Sequence, residues 1–160
     1  MERDTVEVRP ARDEGEVEEA KELRLRVFSQ EQGVAPEAEV DGLDPAATHV
    51  VAVRRGAVVG TCRLRFSGHR CKLERMVVER ALRQTGIGSA LLAEAEQEAA
   101  RQGAGEIVMH AQTQVEAFYA AAGYAAEGET FLEEGIPHVL MRKRLPGAER
   151  RSGRDRRRAS

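Results

Sequence analysis

The ten residues from Arg83 to Leu92, "RQTGIGSALL", set two glycines one residue apart where a strand-like run, "CKLERMVV" (71–78), gives way to an alanine-rich helical pattern. A glycine-relaxed turn that opens a helix leaves several backbone N–H groups without intrahelical partners, and the helix dipole favours an anion beside them. Two readings of these residues stand open. Gly86 and Gly88 either ease the corner between strand and helix, or make room for a phosphate group with Arg83 as a forked cation beside it. Two known phosphate-loop templates do not fit. A P-loop needs Lys and Ser/Thr after its last glycine, where Ser89 and Ala90 stand. The dinucleotide fingerprint needs Gly or Ala where Leu91 stands, and its acidic partner, Glu106, falls at the start of a strand rather than its end.

The neighbouring segments frame this seam. "TVEVRPA" alternates Val6 and Val8 with charged residues, predicting a strand over Thr5 to Arg9. Asp13 is placed to cap a helix that ends before Gly33, and the Pro-, Asp- and Glu-rich stretch that follows reads as a loop with one short helical turn. Residues 49–78 read as three β-rich runs broken at Arg55-Gly56 and Ser67–Arg70, an antiparallel meander. A helix from Gly86 to Arg101 then leads to "EIVMHAQ" (106–112), so the strands on either side of that helix are expected to be parallel. "QVEAFYAAAGY" (114–124) predicts a short helix closed by Gly123, and "PHVLMRKRL" (137–145) a last strand. The class is α/β (α+β), one mixed sheet flanked by helices.

The chain has 160 residues, 41% apolar and 32% charged, enough for one domain without disulfides or metal. No run of eighteen apolar residues and no signal-like segment occurs, so the expectation is a cytoplasmic protein away from the membrane. Cys62 and Cys71 lack ligand-like spacing and read as reduced thiols, with no metal site. The net charge of −2 hides an arginine-rich tail: residues 146–160 carry six arginines against Glu149 and Asp155. That tail is read as disordered and solvated rather than as an arm for nucleic acid, and the domain as residues 1–145.

"RQTGIG" is similar to the Arg/Gln-x-x-Gly-x-Gly/Ala signature of the GNAT N-acetyltransferase family, and "AFYAAAGY" (117–124) resembles that family's Phe-Tyr-x-x-x-Gly-Phe/Tyr helix. "LRVFSQEQGVAPEAEVDGLD", "MHAQ" and "FLEEGIPHVLM" look like its ElaA/YjcF-like subgroup. The resemblance runs from about Thr5 to Leu145. It implies a mostly antiparallel, twisted sheet of six to seven strands with a splayed parallel central pair and about four helices. It also implies acetyl-CoA as co-substrate, a primary amine of a small molecule as acceptor, and a homodimer. A non-catalytic acyl-CoA-binding or regulatory domain, and an acetyltransferase acting on a protein amine, are the alternatives.

The resemblance also implies roles for particular residues. The pyrophosphate would meet backbone N–H groups of Gln84, Thr85, Gly86, Ile87, Gly88 and Ser89 with Arg83 nearby. A main-chain N–H of Met76, Val77 or Val78 would bond the acetyl oxygen, and Gln112 stands where relatives place an asparagine on the cofactor. Tyr119 matches the tyrosine that protonates the departing thiolate. The family's fifth-strand glutamate is replaced here by Ile107, which leaves His110 and Glu74 as candidate bases and His138 as a candidate substrate-orienting residue. Glu39 and Asp41, with Asp44, are expected to give an acidic acceptor pocket that attracts a cationic amine.

Overall fold

The computed structural model describes residues 5–147; the tail reading from 148 onward lies outside them. Seven strands occur among the described residues: β1 (Val6–Pro10), β2 (Thr48–Arg54), β3 (Ala57–Ser67), β4 (Arg70–Val78), β5 (Glu106–Gln112), β6 (Ala125–Glu133) and β7 (Ile136–Arg144). They form one sheet in the order β1-β2-β3-β4-β5-β7-β6. The helices are α1 (Glu14–Leu25), α2 (Pro36–Glu39), α3 (Ile87–Arg101) and α4 (Glu116–Ala121). No helix among the described residues is long and apolar enough to cross a membrane. Two compact units divide the chain, one of residues 5–65 with 74–98 and one of 66–73 with 99–147.

In the first unit β1 pairs antiparallel with β2, and β2 with β3. Asp13 caps α1 as expected, its Oδ1 accepting from the Glu16 amide at 2.9 Å. Glu16 turns back to accept from the Arg12 amide at 2.7 Å, and Arg9 grips both of its oxygens at 2.7 and 2.8 Å. One face of α1 buries Ala20 and Leu23, which join Val27, Val51, Val58 and Val77 in a core cluster. Beyond α1 the helix widens into a π turn over Arg26–Glu31, a departure that the apolar spacing does not signal.

In the second unit α3 ends in a double turn at Gly103: its amide donates to the Ala100 carbonyl and that of Ala104 to Ala99, closing the last helical carbonyls. The strands on either side of α3 are parallel as expected, with Arg70, Cys71 and Lys72 of β4 beside Glu106, Ile107 and Val108 of β5. Burial works against the Glu106 carboxylate, but hydrogen bonds from Arg142 and then Arg70 hold it below its ordinary value. β5 pairs antiparallel with β7, and β7 with β6. The residue pattern does not predict β6. It is an edge strand, exposed at almost every position and interrupted between Glu127 and Phe131, so it carries no apolar alternation to read. Cys62 and Cys71 are both buried and form no disulfide, and burial pushes the Cys71 thiol up to about 12, which leaves it inert as a nucleophile.

Candidate functional site

The glycine seam forms a tight turn rather than a smooth corner. After β4 the chain makes a single 3₁₀ turn over Arg80–Leu82, and Thr85 Oγ1 donates to the Leu82 carbonyl at 2.5 Å. Gln84 and Gly86 both adopt left-handed conformations, with φ of 65° and 92°. The Gly86 carbonyl accepts from the Ala90 amide at 3.0 Å, so the amides of Ile87, Gly88 and Ser89 precede the helical ladder. A Cβ built on Gly86 would meet nothing within 4 Å. Conformation, not crowding, requires glycine there, and the space over the turn is open. Three ladder-free amides beside open space suit an anionic group.

Arg83 is already engaged. Its Nε donates to the Val78 carbonyl at 3.0 Å, while Nη1 and Nη2 clamp the Glu31 carboxylate at 2.8 and 3.1 Å. The position of α3 is set by Gly60 on β3: a Cβ there would stand 3.0 Å from Leu91 Cδ1 and 3.1 Å from Ile87 Cγ2. A side chain at this position would force Leu91 and Ile87, in the first turns of the helix, to give way.

On β4 the residues beside the turn follow a left-handed Arg75, φ 56°. That conformation costs about 1–2 kcal/mol for a residue with a Cβ, and it is tethered by the side chain, whose Nη2 reaches the Glu39 carbonyl at 3.4 Å and Asp41 Oδ2 at 3.3 Å. Val77 buries its side chain in the core, and the Glu79 amide donates to the Val59 carbonyl at 2.8 Å.

Glu39, Asp41 and Glu74 are not an unpaired acidic set. Arg24 and Arg63 are wholly buried. Arg24 bonds Glu39 through Nε and grips Asp44 with both terminal nitrogens. Arg63 holds Asp41 at 2.9 and 2.7 Å, Asp44 at 3.1 Å and Glu74 at 3.1 Å; Arg65 adds a 2.5 Å bond to Glu74. Four guanidinium groups, counting Arg75, thus meet four carboxylates. Hydrogen bonds from Arg63 hold Asp41 well below the ordinary carboxylate range. Burial pushes Asp44 up, but the Arg24 fork and then Arg63 outweigh it. The acidic segment is charge-compensated and pinned to β3 and β4, which removes the reason to expect a cationic amine to be drawn to Glu39 or Asp41.

The second unit gathers the two histidine candidates. In the pairing of β5, β7 and β6, Gln112 lies opposite His138 and His138 opposite Phe131, so these side chains share one face with His110. His110 Nδ1 lies 2.9 Å from Glu133 Oε1, and His138 Nε2 lies 3.7 Å from the other oxygen. His138 Nδ1 donates to the Ile136 carbonyl at 2.6 Å. The Phe131 ring presses edge-on to His110, centroids 5.0 Å apart, and stacks beside His138 at 6.0 Å. Gln112 Oε1 accepts from Gln114 at 2.7 Å. Tyr119, on α4, is buried between Phe118 and Tyr124 in two edge-on contacts.

Four residues that the sequence reading passed over matter here: Gly60, Glu31, Arg63 and Glu133. An isolated glycine inside a strand pattern is a usable signal for close approach, and Gly60 carries it. The other three carry no signal, because their partners are distant in sequence. Among the described residues no group of three His, Cys, Asp or Glu is arranged to hold a metal ion.

An acetyltransferase (GNAT) domain family matches residues 12–145. The YjcF N-acetyltransferase of Bacillus subtilis is 37% identical over 134 residues, covering 83% of this chain and 96% of that one. An acyl-CoA N-acyltransferase from Pseudomonas aeruginosa has the same fold, with a TM-score of 0.78 and 28% identity over 87% of this chain and 99% of that chain. Escherichia coli ElaA superposes with a TM-score of 0.78 over the same shares at 22% identity, a likeness of fold.

Proposed function

Because the chain belongs to the GNAT acetyltransferase family, we propose that it transfers an acetyl group from acetyl-CoA to the primary amine of a small molecule. The observation that carries this reading is the turn at Gly86, with its left-handed φ, its open upper side and the ladder-free amides of Ile87, Gly88 and Ser89. With the amides of Gln84 and Thr85 and the Arg83 guanidinium, these groups hold the pyrophosphate.

Acetyl-CoA supplies an activated carbonyl and a thiol leaving group. The backbone N–H groups of Met76, Val77 and Val78 are the donors for the acetyl oxygen, stabilising negative charge as it grows there. Gln112 contacts the cofactor through its amide, and His138 orients the acceptor. His110 takes one proton from the acceptor ammonium, freeing the nitrogen lone pair; the C–N bond forms and the C–S bond breaks. Tyr119 gives its proton to the thiolate and recovers one from the nitrogen that becomes the amide, and His110 returns its proton to solvent. His110 carries the base role rather than Glu74, whose Oε1 already accepts from both Arg63 and Arg65. Glu39 and Asp41 act by fixing the shape of their segment.

Thermal unfolding with acetyl-CoA tests the donor: at about 100 times its Kd the ligand stabilises by about 2.7 kcal/mol, and an unmoved Tm overturns the assignment. Thiol release across polyamines, amino sugars, aromatic amines and peptides tests catalysis. Binding without turnover on any amine points instead to a regulatory acyl-CoA-binding domain.

A further inference from the structure

His110 Nδ1 and Glu133 Oε1 are 2.9 Å apart, and an ionised carboxylate can only accept. The proton of the neutral ring therefore sits on Nδ1, and the lone pair sits on Nε2. We propose that Glu133 is a positioning residue that holds His110 in this tautomer, so that Nε2 is the atom that takes the proton from the acceptor ammonium. The proposal rests on the reading of His110 as the base.

Three features of the second unit support it. Glu133 is on β6 and His110 on β5, with β7 between them, so the contact is made across three strands by side chains on one face and is not a chance meeting of sequence neighbours. Phe131, two residues before Glu133 on the same strand, packs edge-on to the His110 ring, which limits rotation about the hydrogen bond. His138 satisfies its own Nδ1 at the Ile136 carbonyl, so it does not compete for the Glu133 oxygen that His110 uses. When His110 receives its proton, the imidazolium lies directly beside the Glu133 carboxylate. A base oriented by a third group in this way is held ready without a rearrangement.

The test joins a spectrum to kinetics. In protein labelled with 15N-histidine, two-dimensional spectra at alkaline pH report which ring nitrogen of His110 carries the proton, the assignment being made with His110→Ala. Wild-type protein is expected to show protonated Nδ1. Glu133→Ala is expected to move His110 toward the Nε2-protonated form, to lower kcat by about 10–100-fold, and to leave the Kd for coenzyme A within twofold. Glu133→Asp is expected to recover part of the rate. Adding Glu133→Ala to His110→Ala is expected to cost little more, because Glu133 acts only through His110. An unchanged tautomer in Glu133→Ala, or a changed tautomer with an unchanged rate, overturns the proposal. Full activity in His110→Ala overturns the reading of His110 as base and takes the role of Glu133 with it. An inactive His110→Ala beside a fully active Glu133→Ala removes Glu133 alone.

Discussion

Arg24 of α1 donates to both oxygens of Asp44, at 2.8 and 3.1 Å, while Asp44 also accepts from Arg63 of β3 at 3.1 Å. One carboxylate thus joins two wholly buried guanidinium groups from different elements, and the segment of residues 36–47 is tied to both.

Removing one member of such a cluster leaves a buried charge without its partner, which is costly where an exposed pair costs almost nothing. Arg24→Leu strips Glu39, only 4% exposed, of its close partner. Urea unfolding is expected to show a loss of about 3–5 kcal/mol. Arg12→Lys, at an exposed position, serves as the reference, with a change within about 0.5 kcal/mol.

Gly60→Ala places a Cβ against Leu91 and Ile87, both buried. Relief requires the Leu91 and Ile87 side chains, or the start of α3 that carries them, to give by a few tenths of an ångström, so stability is expected to fall by about 1–3 kcal/mol. The Kd for coenzyme A is expected to rise in the same variant, because the shifted turn is the one that carries Gly86. Calorimetric titration checks it; unaltered affinity detaches the packing from the cofactor.

Glu31 occupies the guanidinium that the cofactor is proposed to use. Both side chains are partly exposed, and such a pair is worth about 0–1 kcal/mol. Glu31→Gln is therefore expected to tighten coenzyme A binding by no more than about fivefold, an effect that disappears in an Arg83→Ala background. Titrations of the single and double variants measure it.

Tyr119→Phe removes the proposed acid while keeping the ring between Phe118 and Tyr124. Loss of a general acid is expected to lower kcat by about 10²–10⁴ with little effect on coenzyme A binding. Steady-state rates and a Kd measured on one preparation decide it, and an unchanged kcat removes Tyr119 from proton transfer.

Acid sensitivity has an identifiable source in Glu16, whose carboxyl is held at about 2 by the Arg9 fork, against 4.5 ordinarily. A depressed carboxyl contributes stability that is fully present above the unfolded value and is lost as pH falls through the folded one. Wild-type stability is expected to decline from about pH 4.5 toward pH 2 more steeply than that of Glu16→Gln, as followed by urea midpoints at stepped pH.

Local chemistry made much of this molecule readable in advance. The Asp13 cap, the helix from the seam to Arg101 and its Gly103 ending, and the glycine turn at residue 86 follow from interactions within a few residues along the chain, and the parallel arrangement around that helix follows from the crossover rule for a strand, a helix and a strand in succession. What only the tertiary structure decided are the pairings between distant residues. Glu39 and Asp41 look like a free acidic surface in one dimension, and become a neutral cluster because Arg24, Arg63 and Arg75 arrive from α1, β3 and β4. Glu133 was out of reach for a further reason: its strand is an exposed edge, held by backbone bonds to β7 rather than by apolar alternation, so neither the strand nor its meeting with His110 leaves a periodic trace in the sequence.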